Sequence, residues 1–181
     1  MREPVNLERI LQFLQRLGKE VHFPCKIYLV GGTSLVYFGL REQTIDIDLA
    51  LDVDNAHHQK LIEMIRRLKE ELNLNIEEAS PGDFIPLPAG WSDRCPFIGT
   101  FGPVTAFHFD LYSTSLCKIE RGTEVDFEDV KALLKSGKIN REKLNSFYQE
   151  ILPRYGEKSL KQDPARIRRN FEILGSQLKQ N

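Results

Sequence analysis

The sequence predicts an α+β fold: a mixed β-sheet with helices packed on it and an α-helical C-terminal segment. Three observations predict it. Apolar residues alternate between helical and strand periods through the first 80 positions. Two apolar runs then flank Gly102-Pro103 in the manner of a hairpin. From Ser113 onward every apolar stripe has helical spacing. At 181 residues, with 41% hydrophobic and 28% charged positions, the chain is sized for one core with a small appendage and excludes a disordered chain or a fibre. We expect a core over 1–137 and a helical, basic segment over 138–181 packed on it.

The elements follow in order. Leu7, Ile10, Leu11, Leu14 and Leu17 form one stripe, so a helix is expected over Pro4–Leu17, with Gly18 as its stop. Lys26 to Val30 reads as a short buried strand ended by Gly31-Gly32, and Thr33 to Phe38 as a short helix. Thr44 to Leu51 alternates, with Ile45, Ile47, Leu49 and Leu51 on one face and Asp46 and Asp48 on the other. Asn55 to Leu72 is the clearest helix and Leu74 to Glu78 a short strand. Residues 80–96 carry four prolines and two glycines and read as a long loop, where Trp91 and Arg94 are candidates for stacking on a base. Phe97–Phe101 and Val104–Tyr112 read as paired strands, placing His108 and Asp110 on one face. Ser113, Thr123 and Asn140 are expected helix caps, and Pro164 fits the first turn of the last helix.

Charge and cysteines narrow the function classes. Residues 138–181 hold ten Lys and Arg against five Asp and Glu, a balance of +5. The other 137 residues carry −6, giving the net −1. A basic segment that includes Arg154, Lys158, Lys161, Arg166, Arg168 and Arg169, beside an acidic body, suits guidance of a polyanion. Three cysteines without a CxxC pair argue against a disulfide scaffold and for a reducing, cytoplasmic setting. No apolar run reaches membrane-spanning length, and no secretory signal is visible.

One stretch carries chemistry: Tyr28-Leu-Val-Gly-Gly-Thr-Ser34, followed by Ile45-Asp-Ile-Asp-Leu49. A strand that ends in two glycines and turns into a helix lets the backbone approach a phosphate, with the Thr33 and Ser34 hydroxyls as further donors. Asp46 and Asp48, two apart on a strand, point the same way. Two such carboxylates repel unless a cation compensates, and hard oxygen ligands suit Mg²⁺ or Mn²⁺.

This pattern resembles the signature of the polymerase-β-like nucleotidyltransferase superfamily. The later run Leu116-Cys-Lys-Ile-Glu-Arg-Gly-Thr-Glu-Val-Asp-Phe-Glu-Asp-Val130 resembles a motif of its bacterial branch that includes AbiEii-type toxins. The resemblance implies transfer of a nucleoside monophosphate from a nucleoside triphosphate (NTP), such as ATP or CTP, to a hydroxyl. The acceptor is an RNA 3′ end, such as that of tRNA, or a protein side chain. It implies that Gly31, Gly32, Thr33 and Ser34 hold the triphosphate and that Asp46 and Asp48 bind metal. A third carboxylate on a later strand is Asp110. AbiEii-type members instead rely on a later Lys and Asp, here Lys118 and Asp126 with Asp129 close by; Asp110 and Asp126 stay open as alternatives. A toxin–antitoxin or phage-defence setting, with a cognate toxin or antitoxin partner, follows from the resemblance alone, as does the rival expectation of a binding protein or NTP sensor that has lost transfer.

Overall fold

A computed structural model describes residues 4–157 and 162–180. Lys158 and Lys161 of the basic segment lie outside the described residues. The chain forms two compact units, one from residues 1–79 and 95–109, the other from residues 80–94 and 110–181.

The first unit is a mixed sheet with three helices. Strands β1 (Cys25–Leu29), β2 (Ile47–Asp52), β3 (Ile76–Glu78), β4 (Phe97–Phe101) and β5 (Val104–His108) lie in the order β3-β2-β1-β5-β4. β1 runs parallel to β5 and antiparallel to β2; β2 and β3 are parallel, and β4 and β5 form the antiparallel hairpin. Helices α1 (Leu7–Glu20) and α3 (Asn55–Glu71) contribute Ile10, Phe13, Leu14, Leu17, Leu61 and Leu68 to a core with Ile27, Leu29, Ile47, Leu49, Val104 and Ala106. Each such side chain stabilises the fold by about 1.5–3 kcal/mol when fully buried. The alternate positions Tyr28, Asp48 and Phe107 take the opposite sheet face. The short helix α2 (Gly31–Tyr37) follows β1 directly.

The second unit is helical. It comprises α4 (Pro81–Phe84), a 3-10 turn at Trp91–Arg94, α5 (Leu111–Arg121), α6 (Glu124–Lys135), α7 (Arg141–Ile151) and α8 (Pro164–Gln180). Helices α4, α6, α7 and α8 all pack on α5, which buries Leu116 and Ile119 among them. Local capping chemistry sets these boundaries. Thr123 closes a capping box with Asp126, the Asn140 side chain accepts from Glu142 N and Lys143 N, and Pro164 occupies the first turn of α8.

The structure departs from the sequence reading at several points. Gly18 does not stop α1 but lies inside it. A Cβ there would sit well under 3.0 Å from the Phe101 carbonyl oxygen, so Gly18 is a point of close approach to the hairpin. β2 begins at Ile47 rather than Thr44, because Thr44 pairs with Val5 in an isolated antiparallel bridge; Ile45 is left 77% exposed instead of facing the core. β5 ends at His108, and Asp110 rather than Ser113 caps α5. The 80–96 stretch contains a helical turn and a 3-10 turn.

The Gly18 contact is testable. Gly18→Ala should lower stability by about 1–3 kcal/mol, the usual cost of overpacking, read as a lower urea midpoint with an unchanged slope. An unaltered midpoint would refute the close approach.

Candidate functional site

The first unit builds its site from the end of β1, the start of α2 and the start of β2. Gly31 adopts φ +57°, a left-handed conformation that glycine reaches without strain. A Cβ on Gly31 would lie 3.4 Å from Asp48 Oδ2, so the carboxylate faces the glycine turn. Asp46 falls in a bend just before β2, and its Oδ1 accepts a hydrogen bond from Asn75 Nδ2. Ile47 is buried between the two acids, and the alternation of β2 turns Asp48 away from the core.

Both hydroxyls of the turn are spent inside the protein. Thr33 Oγ1 accepts from the Asp48 amide at 2.9 Å and donates to the Asp46 carbonyl at 3.3 Å, tying α2 to the backbone on either side of Ile47. Ser34 Oγ donates to the Leu29 carbonyl at 2.8 Å and meets His108 Nδ1 at 2.9 Å. The hydroxyl has one proton and gives it to Leu29, so Nδ1 of the ring is the protonated donor to Ser34. His108 is further held by stacking on Phe38, with centroids 4.0 Å apart. Thr33, Ser34 and His108 are all buried, and together they fix the glycine turn against β1, β2 and β5.

The second unit contains Asp110, Lys118, Asp126 and Asp129. Asp110 is wholly buried and accepts from five groups. These are Arg94 Nε (3.2 Å), Arg94 Nη2 (3.0 Å), Tyr112 N (3.4 Å), Ser113 N (3.2 Å) and Ser113 Oγ (2.7 Å). Capping is one of the roles the sequence leaves open for Asp110, where the strand alternation runs on through position 110, and the structure shows it as the cap of α5. Arg94 stacks on Phe147, its guanidinium carbon 4.2 Å from the ring centroid, and donates to the Ala89 carbonyl, so its planar face serves the protein.

Lys118 is only 4% exposed and donates to Asp129 at 2.6 Å and Asp126 at 3.4 Å, while Arg121 pairs with Asp126 through both Nε and Nη2. Lys118, Asp126 and Asp129 are buried, and the largely exposed Arg121 supplies the second positive charge that balances the two carboxylates. Burial alone pushes Asp126 up, but the Arg121 and Thr123 hydrogen bonds and the Lys118 charge outweigh it and hold the carboxyl at about 2. The basic segment is partly committed as well: Arg166 pairs with Glu120, and Asn170 Nδ2 donates to the Ile119 and Glu120 carbonyls at the end of α5, whereas Arg168 and Arg169 are exposed. Burial pushes the Cys25 thiol up to about 11 and Cys117 to about 12, so neither is a thiolate nucleophile at neutral pH.

The donor chemistry bears on a divalent ion. Mg²⁺ is commonly held by one or two carboxylates plus substrate phosphates and keeps several waters. Asp48, facing the glycine turn, and Asp46, two residues before it, supply carboxylates of that kind. Among the described residues no three His, Cys, Asp or Glu side chains form a group that would hold a metal. No helix among them is long and apolar enough to cross a membrane.

The buried charge cluster yields a prediction with two readouts. Lys118→Met leaves two carboxylates without their lysine and should cost about 3–5 kcal/mol, measured by urea unfolding. Because Asp126 titrates lower folded than unfolded, its contribution is complete above pH 4 and is lost as pH falls towards 2. Asp126→Asn should therefore flatten the acid limb of the stability profile; a limb of unchanged steepness would contradict the pairing.

The model of a family described as "Nucleotidyltransferase of unknown function (DUF6036)" matches residues 5–174. No curated protein and no solved structure matches the chain significantly.

Proposed function

The chain belongs to this nucleotidyltransferase family, and from that premise we propose that it transfers a nucleoside monophosphate from an NTP to an acceptor hydroxyl at the glycine turn of the first unit. The observation that carries the proposal is the Asp48 carboxylate facing Gly31, on a strand start that Thr33 ties to α2. A carboxylate pair of −2 beside a turn that admits close backbone approach suits a triphosphate only with a divalent cation, and Mg²⁺ or Mn²⁺ is the proposed cofactor.

Asp46 and Asp48 would hold the ion, which when bound neutralises phosphate charge and lowers the pKa of the attacking hydroxyl. Asn75 orients Asp46 through its Oδ1. The Gly31–Gly32 backbone gives the phosphates room. Thr33 and Ser34 act through the backbone, keeping the turn and the acids in register, in place of direct hydroxyl contacts. Lys118 and Asp126 are proposed as the scaffold that joins α5 to α6, and Asp110 as the clamp on Arg94. The acceptor is proposed as an RNA 3′ end or a protein hydroxyl, and a toxin–antitoxin or defence role rests on the AbiEii-type motif.

A second reading, NTP binding without transfer, draws support from Asp110. Its five donors leave the expected third carboxylate engaged.

The test is incubation with each α-labelled NTP, Mg²⁺ and a mixture of RNA and cell protein, followed by fractionation of the label. Transfer by the wild-type chain, lowered by several orders of magnitude in Asp48→Asn without unfolding, is the expected outcome. Wild-type transfer by Asp48→Asn would refute the metal role, and NTP binding with no labelled product would favour the second reading.

A further inference from the structure

Gly32 points to a residue that the motif does not include. Its φ lies outside the left-handed region, so backbone conformation does not require glycine there. Space does. A Cβ on Gly32 would lie 2.8 Å from Thr44 Oγ1 and 2.9 Å from Arg41 Nη1. The room left by the missing side chain is filled by a guanidinium and a hydroxyl from the segment between α2 and β2.

That segment is held in place. Thr44 is bridged to Val5 through both its N–H, at 2.9 Å, and its carbonyl, at 2.7 Å. Arg41 is half-buried three residues earlier. Gly31 and Gly32 have Cα atoms about 3.8 Å apart. Asp48 Oδ2 faces the first and Arg41 Nη1 the second, so a carboxylate and a guanidinium stand against the same two-residue turn.

We infer that Arg41 is a phosphate-binding residue of the NTP site, its guanidinium taking triphosphate oxygens beside the pair Asp46 and Asp48. The inference rests on the nucleotidyl-transfer reading of that turn. The chemistry favours it on two grounds. A triphosphate carries more negative charge than one divalent cation neutralises, and two carboxylates add to the excess, so a fixed cation at the turn lowers the cost of bringing the anion in. The planar guanidinium fork matches two phosphate oxygens at once, which an ammonium group does not.

Gly32 then has a defined purpose: it lets the guanidinium lie against the main chain of the turn, level with the phosphates that the turn admits. A mere brace would make a different prediction, because it would affect stability and leave the affinity for phosphates alone.

Calorimetric titration of the full chain distinguishes these. The probes are inorganic tripolyphosphate and the four ribonucleoside triphosphates, each in excess Mg²⁺. The wild-type chain is expected to bind tripolyphosphate and at least one NTP. Arg41→Gln should weaken both by roughly tenfold to a hundredfold, the effect of one hydrogen bond to a charged group, with a urea midpoint close to wild type. Arg41→Lys keeps the charge and loses the fork, and should weaken binding by a smaller factor; it also serves as the binding variant if Arg41→Gln does not fold. Wild-type affinity in the folded Arg41 variants would overturn the role of Arg41 and leave the transfer reading standing. Absence of binding by the wild-type chain to every probe would overturn the transfer reading, and this inference with it.

Discussion

Two hydrogen bonds of one hydroxyl hold the candidate site together. Thr33 Oγ1 takes the Asp48 amide and gives to the Asp46 carbonyl, so the first turn of α2 and the first residues of β2 share one buried anchor. It adds to the Val30 N–H bond to the Asp48 carbonyl (2.9 Å) and the β1–β2 ladder, which also keep the acidic strand start beside the glycine turn. Two carboxylates separated by one residue repel each other, and an unrestrained segment would relax away. Ser34 and His108 perform the same service on the other side, fixing the turn to β1 and β5. The site is thus built on rigid elements, with the polar side chains of the glycine motif facing inward as its supports.

The second unit solves a different problem. Helix α5 is the hub on which four helical segments pack, and both of its ends are charged. Asp110 at the N-terminus gathers Arg94 and two backbone amides. At the C-terminus, Lys118 and Arg121 gather Asp126 and Asp129, while Arg166 takes Glu120. These buried or half-buried pairs resist the loss of either partner far more than they stabilise the fold outright. They account for much of the polar character that makes this stretch look like a motif in sequence.

What was legible followed from local rules. The stripe of α3, the caps Thr123 and Asn140 and the Pro164 start depend on neighbours within four residues, and the sequence contains those neighbours. The apolar–acid alternation from Ile47 likewise announces that Asp48 turns away from the core. What was not legible depends on distant partners. The Asp110–Arg94 pair joins residues sixteen positions apart, and no local pattern announces it. Gly18 looks like a stop until Phe101 is found against it. The directions of the Thr33 and Ser34 hydroxyls are set by Asp48 and His108, and the significance of Arg41, in a polar turn of no special pattern, comes from its approach to Gly32. Tertiary contacts decided each of these.

The central claim is that the acid pair, held by Thr33 at the glycine turn, is a divalent-cation site. The most direct measurement is a Mn²⁺ titration of the full chain followed by electron paramagnetic resonance, with inorganic tripolyphosphate present. The account predicts saturable binding that is lost in Asp46→Asn and weakened in Thr33→Val, a variant that keeps the shape and removes both hydrogen bonds. Binding that survives both substitutions unchanged, or no binding by the wild-type chain, would contradict it.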